Sequence, residues 1–474
     1  MARKLCIILA ILVTFFSPLM AGPQNESVTL PSAVPAGREP DLDGDSLGES
    51  LRRLSSPEME GRLTGSAGNA RAGRWLAEEL SKAGLKPLPG RGDFYLPYPQ
   101  PVLRERTPSV VEIFPKGSGA GTSLSAGVDY QVLVRKGVRL RADIEARVVT
   151  LEASSVSPGW VRENRDAVLL IHARDFEAIV HNTPVMQALF HEEHSPRGII
   201  LAMPAGMNSL PRGVFLTEES YPEVGPVFIQ VSHRASEVFS QGEGTRVRIS
   251  VHQEVAVQEA VNIGGAIPGG DGDLPPIILS AHFDGQGRLG SEVLYPGAID
   301  NASGTALVLE LARSLSENRA GVGKSSGNDL PSRPVWILFF NGEEQGLLGS
   351  RAFAGALAGR AGPGVWVVNI DMVAHSNKTA LTLASAPGSG ELLRELTAAL
   401  TPPLADLSMA LNTMEGGLSD HGSFGSESPV PGSQAVTLVQ APYPGMHSPQ
   451  DIPGNLKPGV ARALFLALVQ WMNQ

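Results

Sequence analysis

This chain of 474 residues is short of thiols, aromatics and positive charge: one cysteine, 5 % aromatics, and 38 basic side chains against 48 acidic ones. Each scarcity excludes something. The one cysteine, Cys6, lies in the first apolar stretch. The rest of the chain therefore forms neither disulfides nor thiolate metal sites, and any bound metal must take nitrogen and oxygen ligands. A formal net charge of −10 argues against nucleic acid and anionic membrane surfaces as partners. Long apolar runs are scarce too: Leu5 to Phe16 is too short to span a bilayer. It follows Arg3-Lys4 and precedes Ser17-Pro18-Leu19-Met20-Ala21, the layout of an export signal with a small residue at the cut. We place that signal at 1–21, with cleavage after Ala21, although Leu19 is an imperfect residue three places before the cut. Cys6 opens the apolar stretch rather than closing it, which argues against lipid attachment. Loss of Arg3 and Lys4 would leave 38 less two basic residues against 48 acidic ones. The expected product is exported, periplasmic or extracellular, with no stable membrane insertion after signal cleavage; a retained membrane anchor is the alternative.

What the chain has in plenty is glycine and proline, 53 and 37 residues, which point to many loops and to α/β rather than all-helical architecture. A hydrophobic share of 42 % with 18 % charged residues is that of an ordinary globular protein, and the length favours more than one unit. Residues 22–48 are rich in Pro, Gly and Asp and read as a flexible segment. Over 49–100 the pattern is helical from Glu49 to Leu85, with Ala72, Trp75, Leu76, Leu80 and Ala83 at helical spacing and Gly84 as a stop. Residues 101–255 change to short alternating runs such as Ala167–His172 and Gly198–Met203. They predict a β-rich insert with one or two helices.

Residues 256–474 alternate continuously apolar strands with helical patterns. Strands are expected near Ile277–Ser280, Val335–Phe340, Val365–Ile370, Leu381–Ala384 and Ala435–Val439. Helices are expected near Ser303–Glu317, Leu347–Ala358, Glu391–Leu400 and Pro458–Met472, with a polar surface loop over Asn318–Arg333. This predicts an α/β fold whose mostly parallel sheet is covered by helices on both faces, with its ligand site beyond the carboxyl ends of the strands.

His, Asp and Glu gather at that edge. Glu343-Glu344 follows the apolar run Val335–Phe340, a costly place for two carboxylates unless a positive partner waits there. One of the pair could bind a metal while the other takes a proton; a solvated helix start is the plainer alternative. His282-Phe283-Asp284 follows a strand, and a ligating histidine commonly gives its second ring proton to a carboxylate. Asp300-Asn301 stands before a helix, where either could be an N-cap, or Asp300 could bridge two metals. Asp371 ends a strand. His447 follows a Pro/Gly-rich loop, with Asp451 behind it as a candidate to hold its ring. Asp420-His421 could line the site or cap a short helix. Gly323-Lys324-Ser325-Ser326-Gly327 and His191-Glu192-Glu193-His194 lack the context or spacing of the catalytic motifs they imitate.

Singly these signals are weak, but their order is specific. His-x-Asp, Gly-Ala-x-Asp-Asn-Ala-Ser-Gly, Glu-Glu-x-Gly-Leu-x-Gly-Ser, Asn-x-Asp-Met, Ser-Asp-His and a late histidine together resemble the di-zinc exopeptidases, the secreted aminopeptidases and their glutamate-carboxypeptidase relatives. The resemblance covers about Val261–Gln474, and the insert resembles a protease-associated domain. It implies two zinc ions per chain, with Asp300 bridging them. His282 and Asp371 would complete one ion, Glu344 and His447 the other. Glu343 would be the general base, Asp284 the partner of His282, and Tyr443 a helper to the oxyanion. The substrate implied is a peptide attacked at its N-terminus; the oligomeric state is left open. Two features depart from the pattern: His447-Ser448-Pro449-Gln450-Asp451 has Ser where relatives have Thr, and the family's disulfide-bearing loops are absent.

A carboxypeptidase or dipeptidase would use the same metals with a cation, such as Arg288 or Arg351, to capture a carboxylate. A cyclase-like activity would need one zinc only, which the presence of both His282 and Asp371 argues against. A binding protein on an inactive peptidase fold would be expected to have lost a ligand or the base.

Overall fold

A computed structural model describes residues 46–473 apart from 118, 135–136, 191–194, 206–209, 211, 213–224, 240–243, 268–273, 320–332, 359–363, 418 and 426–427. The proposed signal, both imitation motifs and nearly all of the segment 22–48 lie outside the described residues. The described residues form two compact units: Pro101–Ala256 with Leu289–Val293, and the remainder from residue 46 onward.

The second unit is built on a sheet in the order Leu411–Glu415, Leu381–Ser385, Gln434–Val439, Trp366–Asp371, Ile277–His282, Val335–Phe340, and the end of Arg246–Ile267. The four central strands are parallel, in a register that sets Ile277 beside Val335 and Trp366, and Asp371 beside Val439. Successive side chains explain the two-sided burial. Leu279, Ile337, Phe339, Val368, Ile370 and Leu438 enter one core with the helices Gly304–Arg319, Gly390–Asp406 and Pro458–Met472. Their neighbours Ile278, Leu338, Phe340, Val367 and Ala435 enter the opposite core with Phe353 and Phe424. Both faces being covered is what makes these strands continuously apolar.

The N-terminal helical pattern is not continuous. It splits into Ser46–Leu54, a short 3-10 turn at Pro57–Arg62 and Ala67–Lys82, because Pro57, Gly61 and Gly65 punctuate it. The helix therefore starts within the segment predicted to be flexible. Ser66 caps Ala67–Lys82 through the Asn69 N–H at 3.1 Å, and Gly84 leaves it with φ 82°. The helix from Gly304 runs to Arg319, into the segment read from sequence as loop.

In the first unit, Arg141–Leu151, Val168–His172, Gly198–Ala202 and Val227–Val231 pair in parallel in that order, with Arg246–Ile267 antiparallel beside the first. Four helices, Pro158–Glu163, Ala173–His181, Thr183–Phe190 and His233–Phe239, stand where the sequence suggested one or two. Their short lengths, broken by Asn164 and Asn182, hide the helical period. Among the described residues no helix is long and apolar enough to cross a membrane.

Candidate metal centre

The carboxyl ends of the strands in the second unit bring the acidic and histidine residues together. His282 ends its strand and Asp371 ends the next; their Nε2 and Oδ1 lie 3.2 Å apart. Asp300 stands in the single π turn Ala298–Ser303. Its Oδ1 is 3.4 Å from His282 Nε2 and its Oδ2 is 3.1 Å from His447 Nε2. Glu344 Oε2 lies 2.9 Å from the same His447 nitrogen. Two groups result, His282–Asp300–Asp371 and Asp300–Glu344–His447, each with its donor atoms within 4.8 Å of one another. The cap question is also resolved. Asn301 Oδ1 accepts from the Gly304 N–H at 2.9 Å and its Nδ2 donates to Ile370 O, which leaves the Asp300 carboxylate for the cluster.

The chain spends many hydrogen bonds on holding these groups. Ser419 Oγ donates to Asp371 Oδ2 at 2.7 Å, and Asn369 Nδ2 donates to Ser419. Thr305 Oγ1 donates to the carbonyl of His282 at 2.7 Å. Asp284 Oδ1 lies 3.6 Å from His282 Nδ1, an ion-pairing distance longer than a hydrogen bond. Its oxygens accept from the N–H groups of Glu343 and Glu344 at 3.2 and 3.3 Å, and from Thr64. So Asp284 orients the glutamate pair as well as facing the histidine. Asn341, just before that pair, bonds Asn69, Thr64 and Asn262. At Gly342, φ is 73° and an added Cβ would lie 2.5 Å from Gln100 Oε1 and 2.8 Å from Tyr98 Oη, so the bend into Glu343 requires glycine.

Asp451 is not placed as the sequence suggested. Its carboxylate accepts from the backbone N–H of Ile299 and Asp300 at 2.8 and 3.0 Å and from Tyr443 Oη at 2.8 Å; it sits beneath the turn that carries Asp300. Tyr443 also receives a hydrogen bond from Asn455 Nδ2, so its hydroxyl proton is committed to Asp451. His421 is held by Thr437 Oγ1 at 2.7 Å and Gly416 O at 3.2 Å, while its neighbour Asp420 is fully buried. Thr64, Asn69, Asn341 and Ser419 escaped the sequence reading as supports. The first two lie more than 200 residues from their partners, and only Ser419, inside Ser-Asp-His, carried a signal.

The electrostatics reflect crowding of like charge. Burial is the largest influence on Glu343, and with Asp371, Glu344 and Asp420 nearby it holds this carboxyl well above its usual range. Burial, with Asp300, also raises Glu344. Burial alone would lower His282 and His447, but the surrounding carboxylates outweigh it and hold both imidazoles well above the ordinary value. The donor set fits a pair of cations. Every donor is nitrogen or oxygen, and each is largely buried. Glu344 Oε1 is buried without a hydrogen-bond partner among the described residues. The two oxygens of Asp300 are each aimed at a different histidine.

Residues 262–472 match peptidase family M28. Among solved structures the chain is similar to a peptidase M28 precursor from Shewanella amazonensis SB2B, with TM-score 0.62, 17 % identity, and 91 % and 93 % of the two chains covered. It is also similar to a zinc aminopeptidase from Bacillus subtilis, with TM-score 0.60, 16 % identity, and 91 % and 96 % covered. At these identities the likeness is one of fold. Among curated proteins, 145 residues are 28 % identical to aminopeptidase NAALADL1 of Mus musculus, covering 30 % of this chain and 18 % of that one. A further 110 residues' match, at 32 % identity, is to a glutamate carboxypeptidase 2 homolog of Caenorhabditis elegans, covering 23 % and 13 %. The chain thus spans less than a fifth of the length of these relatives.

Proposed function

We propose that this protein, whose residues 262–472 belong to the metallopeptidase family M28, is an exported aminopeptidase with two zinc ions. The observation that carries the reading is the Asp300 carboxylate, one oxygen facing His282 and the other His447. In this reading His282, Asp300 and Asp371 would hold one ion and Asp300, Glu344 and His447 would hold the other. When bound, such a pair lowers the pKa of a shared water and polarises the scissile carbonyl.

The chain's own residues do the rest. Glu343 Oε2 lies 4.0 Å from His282 Nε2, beside the ligands without belonging to either group. A carboxylate beside the ligands but outside both groups suits the role of taking a proton from water and returning it to the leaving amine. Asp284, bonded to the N–H groups of both glutamates, fixes the backbone that presents base and ligand. Arg288 and Arg351, the candidates for capturing a carboxylate in a carboxypeptidase, are both exposed. Retention of the base and every ligand supports an enzyme over a binding protein. Export rests on the leader read at 1–21.

The test is mass spectrometry of matched peptides with free and acetylated N-termini after incubation with the zinc-loaded protein. Stepwise N-terminal trimming of only the free peptides is expected. C-terminal trimming would make it a carboxypeptidase, and absence of any trimming would overturn the enzymatic reading.

A further inference from the structure

Arg62 lies outside the family-matched segment and takes no part in the chemistry above, yet it is the bulkiest fully buried side chain among the described residues. A guanidinium taken out of water normally faces a carboxylate in direct contact. Arg62 instead donates to four backbone carbonyls. Its Nε reaches Phe283 O at 2.7 Å, Nη1 reaches Leu54 O at 2.6 Å and Pro296 O at 2.8 Å, and Nη2 reaches Gly297 O at 2.7 Å.

The positions of those carbonyls matter. Phe283 stands between His282 and Asp284, and Pro296-Gly297 leads into the turn that carries Asp300. Leu54 ends the helix Ser46–Leu54, whose carboxyl end favours a cation. The backbone around Arg62 is drawn into the same place. Its carbonyl accepts from the Gly285 N–H at 3.3 Å and from Asn69 Nδ2 at 2.9 Å. At Gly61, φ is 65°, and an added Cβ would lie 2.4 Å from both Gly287 O and Tyr295 O. Burial lowers the guanidinium to about 10 against the pull of Asp451, Asp284, Asp300 and Glu344, so it stays charged at neutral pH.

We infer that Arg62 is a positioning residue for the metal centre. Its planar fork ties the loop after His282 to the turn before Asp300, so that the two ligands already face each other before any ion enters. The inference rests on the reading of this site as a metal centre. It differs from mere core filling in requiring the fork, since a lysine supplies the same charge but cannot reach four carbonyls at once.

The test is Arg62→Lys in the full chain. The expected result is wild-type far-ultraviolet circular dichroism, with zinc affinity, measured by chelator competition, about 10–100-fold weaker and kcat reduced more than KM is raised. A folded variant with wild-type zinc affinity would overturn the inference. Should the variant fail to fold, hydrogen exchange on the wild-type protein decides. Peptides spanning 283–287 and 296–301 are expected to be protected in the metal-free protein to within about tenfold of the zinc-loaded one, and free exchange there without zinc would overturn the clamp. A wild-type protein that binds no zinc at all would instead sink the metal reading, with the exchange measurement still deciding whether Arg62 ties the two segments.

Discussion

In residues 101–256, the parallel strands Val168–His172, Gly198–Ala202 and Val227–Val231 are as apolar as Ile277–His282, Val335–Phe340 and Trp366–Asp371 in the other unit. The two scaffolds diverge at the strand ends. The first set ends in His172, which is only partly buried, and in Ala202 and Val231. Its charges are spent on exposed pairs along the antiparallel strands, such as Arg246–Glu145 at 2.7 Å and Arg106–Glu254 at 2.6 Å. The second set runs into His282, Asp371 and the Glu343–Glu344 pair, all largely buried. Parallel sheets supply the same hydrophobic platform in both units. Among the described residues, buried, mutually repelling carboxylates occur in only one of them, and a cation is what would offset their repulsion.

The contrast can be broken most severely at Asp300. Asp300→Ala removes the one carboxylate common to both donor groups, and is expected to abolish both zinc binding and turnover, measured by metal analysis after gel filtration and by peptide hydrolysis. Retention of two zinc ions would remove the basis of the contrast. Next comes Glu343→Gln, which should cut kcat by about 10²–10⁴-fold with zinc content unchanged. Loss of zinc in that variant would make Glu343 a ligand rather than a base.

Ser419→Ala is the milder version. It deletes the donor that fixes Asp371 Oδ2 and should weaken zinc affinity by about 10–100-fold at constant fold, as followed by chelator competition. The elevated imidazoles set the pH dependence. Held above the ordinary value by the surrounding carboxylates, His282 and His447 keep their protons to higher pH when metal is absent, and zinc must displace those protons. Zinc affinity is therefore expected to fall as pH drops through that elevated range, by up to about tenfold per pH unit for each proton displaced. Titration calorimetry in buffers of different ionisation enthalpy would register the proton release, and identical heats in all buffers would contradict it. The smallest effect on the site should come from the other unit. Leu170→Ala is expected to cost about 2–5 kcal/mol of stability in chemical denaturation, with zinc content and affinity unchanged in the folded protein.

Much of the second unit was legible because its strands are continuous apolar runs and its candidate ligands sit at or just beyond their ends. Val335–Phe340 and Pro458–Met472 match the expected bounds, and the other strands and helices expected over 256–474 differ mostly at their ends, whereas the strand that ends at Ile267, the short strands Gly287–Leu289 and Val293–Tyr295, and Leu411–Glu415 were not expected. The strand Leu411–Glu415 went unseen because it is an edge strand with four exposed residues and no apolar signal. The supports of the site were harder to read, for a different reason. Hydrogen bonds such as Thr64 to Asn341, 277 residues apart, leave no local pattern. Asp451 was placed behind His447 from sequence proximity, whereas its bonds go to backbone N–H groups some 150 residues earlier. Arg62 was invisible for the same reason, being read only as part of one long helical pattern that Pro57, Gly61 and Gly65 interrupt.

The most direct test of the shared-carboxylate centre is diffraction from zinc-loaded crystals at the zinc absorption edge. The account predicts two anomalous peaks, one on each side of the Asp300 carboxylate, the first beside His282 and Asp371 and the second beside Glu344 and His447. A single peak, or ions bound anywhere but at Asp300, would contradict it.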